Sequence, residues 1–347
     1  GDPKAIPWTQ TTPLKAAMDG RFHHDIHTGD VVAWPTNLGW MMGPWLIYAS
    51  LLNGAAMALY DDAPTGRGFI EFVADADVSM LGIVPSIVAS WRESDVLEPG
   101  DWHSVRVISS TGETSNPDDY RWLMHAAGDV PVIEYCGGTE IGGGYVTSTV
   151  LDPCVPSLFS TPALGIDLVL MDEDGPGDSG EVFLVPPSIG LSTELLNRDH
   201  HEVYYDGVPE IGRPLRRHGD HMERTVDGYY RALGRVDDTM NLGGIKVSSA
   251  DVERAIGGVA GVAECAAVSV PPSEGGPERL VVFVVALAGT TLDTDVVRIE
   301  MQQAIRTRLN PLFKVHEVIE IPALPRTPSN KVMRRSLRSA HRSTGGT

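Results

Sequence analysis

From Val31 to Tyr60 the chain carries no charged side chain, and a run of that kind has to be kept from water. It exceeds the ~20 apolar residues that cross a bilayer. Yet Pro35, Asn37, Gly39, Gly43, Pro44, Ser50, Asn53 and Gly54 punctuate it, and no basic flank borders it on either side. That pattern predicts a loop, a buried helix over about 45–52 and a buried strand over about 55–60, with no membrane span.

The sequence around this run alternates in the same way. Short apolar strands are expected at 30–33, 56–60, 80–84 and 105–109, with amphipathic helices between them, as at 85–91 and 118–125. Strand–helix alternation implies a parallel α/β arrangement. Near 166 the pattern changes: strands at 167–171 and 181–185 flank Asp172-Glu173-Asp174-Gly175-Pro176-Gly177-Asp178-Ser179-Gly180, a turn-rich connector suited to an antiparallel hairpin. After Gly234 a helix at 249–256, strands at 265–270 and 280–287, a helix at 295–309, a strand at 315–321 and a basic helix beyond a loop at 322–331 make a compact α+β unit. A chain of 347 residues exceeds one ordinary core. The expected fold class is thus α/β: part of a large multi-layer domain with a β-rich subdomain over 1–235, then a small α+β domain over 236–347.

Charge narrows the partners. The formal net charge is −19, which argues against nucleic acid, because phosphate neutralisation needs clustered Lys and Arg. Any anionic ligand must meet few, local cations. Cys136, Cys154 and Cys265 are scattered with no C-x-x-C pair, so a reducing compartment, taken as cytoplasmic, is expected. His23, His24, His27, His200 and His201 are read as surface residues rather than metal ligands.

Four stretches carry chemistry. Tyr135-Cys136-Gly137-Gly138-Thr139-Glu140-Ile141-Gly142-Gly143-Gly144 follows an apolar stretch at 130–133, as at a strand end in an α/β sheet, where ligands commonly bind. Its glycines permit close backbone approach, Thr139 offers a hydroxyl to phosphate, and Glu140 can help hold a metal bound to it; alone, the stretch would read as a glycine-rich turn. In His218-Gly219-Asp220 and Gly234-Arg235-Val236-Asp237-Asp238, Asp220 suits ribose hydroxyls and Arg235 suits phosphate or ribose oxygens. The plainer alternatives are a turn residue and a surface ion pair. Asn241-Leu242-Gly243-Gly244-Ile245-Lys246 places a glycine pair where a long ligand could pass. Finally, Lys331 stands at the junction of Pro325-Arg326-Thr327-Pro328-Ser329-Asn330 and a helix, while Arg334, Arg335 and Arg338 could equally form a solvated basic face.

In their order these stretches resemble the motifs of the acyl-CoA synthetase, adenylation-domain and luciferase superfamily. Gly1-Asp2-Pro3-Lys4 resembles the tail of its phosphate loop, and Pro325–Lys331 its catalytic-lysine motif with Asn330 in place of Gly. His218 stands where the ribose motif has Thr. Trp34-Pro35-Thr36-Asn37-Leu38-Gly39-Trp40-Met41-Met42-Gly43 and 237–246 resemble the acetyl-CoA synthetase branch, and look closest to the plant-type acyl-activating enzymes. The resemblance covers the whole chain and implies the C-terminal half of such an enzyme, beginning within its own active site and inactive alone.

The resemblance implies ATP, Mg²⁺ and coenzyme A as cofactors and a small carboxylic acid as substrate. Lys331 and Thr139 would be catalytic, with Glu140 on Mg²⁺. Lys4, Gly112, Glu113, Thr114, Tyr135, Gly138, Asp220, Arg235 and Lys246 would hold the nucleotide or its phosphates. Gly243 and Gly244 would line the pantetheine tunnel, and Asp237 would be the hinge of a mobile small domain. Lys246 replaces an Arg of those enzymes, turning a bidentate contact into a point charge. Gly137 stands where acetyl-CoA synthetases carry a Trp, so an acid larger than acetate is expected, with Trp40, Met41 and Met42 lining its pocket. The alternatives are an adenylation domain loading a carrier-protein thiol and an inactive binding relic.

Overall fold

The computed structural model describes residues 4–242, 245–271, 278–327 and 332–344. The chain separates into two compact units, Gly1–Ala232 and Leu233–Thr347.

The first unit opens with α1 (Thr12–Phe22) and then builds a sheet from β1 (Val31–Ala33), β2 (Ala56–Ala58), β3 (Met80–Ile83), β4 (Val107–Ser110) and β5 (Val132–Gly138), all parallel. Between them lie α2 (Met42–Leu51), α3 (Arg67–Asp75), α4 (Pro85–Ser94) and α5 (Pro117–Ala126). Antiparallel β6 (Gly143–Thr147) and β7 (Thr161–Pro162) complete the order β2-β1-β3-β4-β5-β6-β7. Side chains alternate across the strands. Ala33, Leu81, Ile83, Ile108 and Val132 pack with the core that includes Phe69 and Trp91, while Val32, Met80, Val107 and Ile133 pack with Ala16, Trp45 and Ala49. Helices therefore cover both faces, as parallel sheets require.

The uncharged run is only partly interior: Leu38, Leu51, Leu52 and Leu59 are exposed, and β2, expected as a buried strand, lies at the edge of the sheet. It supplies β1, α2 and β2, with Trp45 and Ala49 fully buried, and α2 starts at Met42, about one turn earlier than expected, without a side-chain cap at Met41. Among the described residues no helix is long and apolar enough to cross a membrane.

A second, antiparallel sheet follows from β8 (Asp167–Asp172), β9 (Gly175–Pro176) and β10 (Ser179–Val185). After the short helix α6 (His200–Tyr204) come β11 (Arg216–Arg224) and β12 (Tyr230–Arg235), giving the order β12-β11-β10-β8-β9.

The second unit has the hairpin β13 (Thr239–Leu242) and β14 (Ile245–Ser248), then α7 (Ser249–Ile256), β15 (Val262–Val270), β16 (Arg279–Ala286), α8 (Thr294–Arg308), β17 (Val315–Glu320) and α9 (Arg334–Thr344). Its three-stranded sheet buries both faces. Ala267, Leu280, Val282 and Val284 pack with Val252 and Met301, while Ala266, Val268, Val281 and Phe283 pack with Leu324 and Leu337.

What α1 brings to the first unit is polar. Lys15 and Asp19, one turn apart and both fully buried, form an ion pair at 2.6 Å. Asp19 Oδ2 also accepts from the Tyr135 hydroxyl at 2.7 Å and the Gly144 amide at 2.8 Å, while Lys15 Nζ donates to the Leu164 carbonyl at 3.0 Å. His23 and His24 are likewise buried, against the surface position expected of them. They close α1 over the core: His23 Nε2 accepts from the Leu164 amide at 3.0 Å, and the His24 ring meets Asp19 O at 3.0 Å and Ser109 Oγ at 2.9 Å. His27 stays exposed, 2.7 Å from Asp25.

Asp19→Ala would strand a buried ammonium and two donors, and is expected to cost about 3–5 kcal/mol in urea unfolding. Burial drives the His24 imidazole down to about 3. A folded-state value below the unfolded one means that the unfolded chain binds the extra proton. His24 thus favours folding fully above about pH 6.5 and loses roughly 1.4 kcal/mol per unit as pH falls toward 3. Melting temperatures between pH 7 and 4.5 should fall less steeply in His24→Gln than in the parent.

Candidate active site

The chain turns sharply as it leaves β5. The Gly138 carbonyl accepts from the amides of Ile141 and Gly142 at 3.0 Å each, so Thr139 and Glu140 stand on the turn between β5 and β6. That turn is held on two sides: the Trp8 indole donates to the Thr139 carbonyl at 2.9 Å, and the Ser192 amide donates to the Glu140 carbonyl at 2.8 Å. Close approach of backbones fixes the glycines around it. A Cβ on Gly137 would overlap the Gly143 carbonyl oxygen, and one on Gly143 would overlap the Asp19 carboxylate.

Facing this turn, β11 presents His218 and Asp220. Asp220 Oδ2 accepts from the Tyr145 hydroxyl at 2.8 Å and lies 3.1 Å from His218 Nε2, and the Cys136 thiol donates to it at 3.6 Å. Asp220 is thus a strand residue, half-buried, with its carboxylate oriented by β5 and β6. Behind it Arg216 is fully buried, its guanidinium 3.8 Å from the Tyr204 ring centroid and donating to Ser192 Oγ at 2.8 Å. The Lys4 ammonium lies 4.8 Å from the centroid of the same ring. Burial opposes ionisation of Glu140, but the charges of His218, Lys4 and Arg216 outweigh it and hold the carboxyl below its ordinary range. An ionised, oriented carboxylate is the donor that Mg²⁺ uses when phosphates supply its other ligands. Among the described residues no group of three or more His, Cys, Asp or Glu could hold a metal ion.

The loop after β4 borders the same strand. Gly112 and Thr114 are exposed there. The Glu113 carboxylate accepts from the Ser86 amide at 3.0 Å and from its hydroxyl at 3.3 Å, at the start of α4. Ser115 donates to Glu134, whose carboxyl burial pushes up to about 7.

Other expected site residues lie elsewhere. Tyr135 is not placed to touch a nucleotide with its side chain: alternation along β5 turns it into the core, where its hydroxyl joins Asp19 and the Trp45 indole (3.1 Å). Met42 is a core residue, Met41 packs against that core and Trp40 is partly exposed. Arg235 ends β12, exposed, in the second unit. Asp237 lies in the turn Val236–Asp238 and Lys246 on β14, with their side chains outside the described set; Gly243, Gly244 and Lys331 lie outside the described residues. Sequence reading missed Trp8, Tyr145, Ser192, Tyr204 and Arg216, which contact the site from distant parts of the chain and share no local pattern.

A turn bearing a hydroxyl and an ionised carboxylate stands where a parallel strand ends, the place where α/β sheets commonly bind ligands. Comparison makes the class specific. The AMP-binding enzyme model matches residues 1–190, and the AMP-binding enzyme C-terminal domain model matches residues 251–331. The chain belongs to the AMP-binding enzyme family.

It is 52% identical to a probable peroxisomal acyl-activating enzyme 17 of Arabidopsis thaliana, over 99% of this chain and 49% of that protein. It is also 52% identical to a hexanoyl-CoA synthase of Cannabis sativa, over 97% of this chain and 48% of that one. An acetoacetyl-CoA synthetase from Streptomyces lividans superposes with a TM-score of 0.87 at 27% identity, covering 100% of this chain and 54% of that one. The chain spans about half the length of the curated relatives it matches.

Gly137→Ala tests whether the ladder itself demands a glycine. The overlap with the Gly143 carbonyl should cost about 1–3 kcal/mol in thermal or urea unfolding; an unchanged midpoint would show that β5 and β6 can part freely.

Proposed function

We propose that the chain is the carboxy-terminal half of an ATP-dependent acyl-CoA synthetase that activates a carboxylic acid longer than acetate. A carboxylate is a poor electrophile. In the first step its oxygen attacks the α-phosphorus of ATP, the bond to the β-phosphate oxygen breaks, and pyrophosphate leaves. In the second the coenzyme A thiol attacks the acyl carbonyl, AMP leaves, and the thiol proton is released.

The observation that carries this reading is the grouping of Thr139, the ionised Glu140 and Asp220 around one turn. Thr139 would meet the α-phosphate, Glu140 the Mg²⁺ that neutralises developing charge, and Asp220 the ribose hydroxyls. Lys4, beside Glu140, and Arg235 add cations for phosphate or ribose. Gly112, Glu113 and Thr114 would border adenine. Lys331 would bridge carboxylate and α-phosphate, a fixed cation acting where charge accumulates. Asp237 would let the small domain withdraw that lysine and admit the thiol along Gly243, Gly244 and Lys246.

Support for a longer acid comes from kinship rather than from space at Gly137. Identity is 52% to the hexanoyl-CoA synthase and 30% to an acetyl-coenzyme A synthetase of Stutzerimonas stutzeri. The reading keeps a cytoplasmic location, with a peroxisomal one as the alternative that the relatives' names support.

Acid-dependent ATP–pyrophosphate exchange, measured on the chain completed to the length of those relatives, tests both parts. Hexanoate should exceed acetate, and Lys331→Ala should lower the rate by about a hundredfold or more. Exchange untouched by Lys331→Ala would remove the lysine from its role, and acetate as the best acid would overturn the chain-length assignment.

A further inference from the structure

The arginines after Lys331 in the sequence are not a solvated face. Arg334 Nη2 lies 2.9 and 2.8 Å from the two carboxylate oxygens of Glu253 on α7, its Nε donates to Oε1 at 3.2 Å, and its Nη1 reaches Asp238 Oδ2 at 3.4 Å. Arg338, one turn further along α9, donates to Asp238 Oδ1 at 2.9 Å. Only Arg335 of the three expected on that face points to solvent. Glu253 is itself fixed, since its Oε1 accepts from the Ala267 amide on β15 at 2.8 Å. Asp238 is anchored as well, its carbonyl accepting from Ser249 Oγ at 2.9 Å. Burial pushes the Glu253 carboxyl up while Arg334 opposes the shift.

The two ends of this node matter more than its strength. Asp238 closes the turn Val236–Asp238 and follows Asp237, whereas Arg334 opens α9, three residues beyond Lys331 in the sequence. The start of α9 is also tied back to the segment that follows β17. Met333 N donates to the Pro325 carbonyl at 2.7 Å, Arg326 bridges Val332, and the Arg326 guanidinium pairs with Glu264 on β15 at 3.0 Å. Leu337 then seats α9 on the sheet with Leu324.

We infer that Arg334 is a positioning residue: its fork, with Arg338 beside it, locks the start of α9 to the turn Val236–Asp238, so that these segments move as one body. The inference rests on the reading in which Asp237 is the pivot and Lys331 the travelling cation. A guanidinium suits the task because it reaches two carboxylates at once; an ammonium holds one.

Amide hydrogen exchange on the chain itself tests this. In Arg334→Lys, which keeps a charge for Glu253, exchange should rise about tenfold at 236–242 and at 332–340 together, with the melting temperature and exchange in β15 and β16 near the parent. Asp238→Asn should reproduce the pattern from the other end, and Arg326→Gln should loosen 332–340 while leaving 236–242 unchanged. Exchange at 236–242 unaltered by both Arg334→Lys and Asp238→Asn would overturn the inference, as would a uniform rise across the unit, the mark of a merely structural pair. Lys331→Ala should leave both segments at parental rates, so failure of the proposed activity would register in pyrophosphate exchange alone.

Discussion

The first unit depends on one buried ion pair. Lys15 and Asp19 are removed from water completely, and their mutual attraction repays that desolvation only if the remaining donors and acceptors are also met. Tyr135, Gly144 and the Leu164 carbonyl meet them. The pair therefore does more than hold α1 closed: it ties one helix to β5, to β6 and to the segment before β8. The turn carrying Thr139 and Glu140 hangs between β5 and β6, so the pair helps to fix the strands that position it. Gly143 belongs to the same constraint, because any side chain there would displace the Asp19 carboxylate.

On the ligand-facing side the electrostatic problem is inverted. The chain as a whole is strongly acidic, with a net charge of −19, and long-range attraction cannot draw an anion to it. Local charges act instead. Arg216, Lys4 and His218 gather around Glu140 and lower its proton affinity, while Tyr145 and His218 orient Asp220. A nucleotide would meet fixed carboxylates already arranged for a metal and for hydroxyls, with little reorganisation left to do.

How much of this was legible follows from the physics of each element. The parallel strands, α4, α5, α8 and the small unit's β15–β16 pair were readable because burial on both sheet faces leaves near-continuous apolar runs and the helices keep one apolar face. Helix α1 was not, because the residues it turns inward are Thr12, Lys15 and Asp19, and no hydrophobic period marks it. His23 and His24 misled for the same reason: a buried imidazole with a partner for one ring nitrogen, as in His23, or for both, as in His24, looks in sequence like a surface one. The glycines of this stretch read as places for close approach to a ligand, and Gly137 as room for a larger acid, whereas Gly137 and Gly143 answer to the neighbouring strand and to α1. Asp220 and Glu140 stood out by their motifs, but Ser192, Tyr204 and Arg216, which surround Glu140, lie in a loop, a helix and a strand with no motif of their own.

The second unit is built so that, under the proposed function, the lysine could sit on a part of the chain separate from the carboxylates of the first unit. Its sheet buries both faces within the unit, with α7 and α8 on one side and α9 on the other. Such a body needs no neighbour to complete its core. It can carry Lys331 as a rigid attachment only if the segment around that residue is bound to the rest of the unit. Apolar seating by Leu337 alone would let α9 slide, since dispersion contacts are non-directional. The fork of Arg334 on Glu253 and Asp238 is directional, and it ends beside the turn about which the proposed activity requires the unit to rotate. On that reading, the ion pairs of Arg334, three residues beyond the lysine in the sequence, would let a change at the turn reach the reacting phosphate with little loss of geometry.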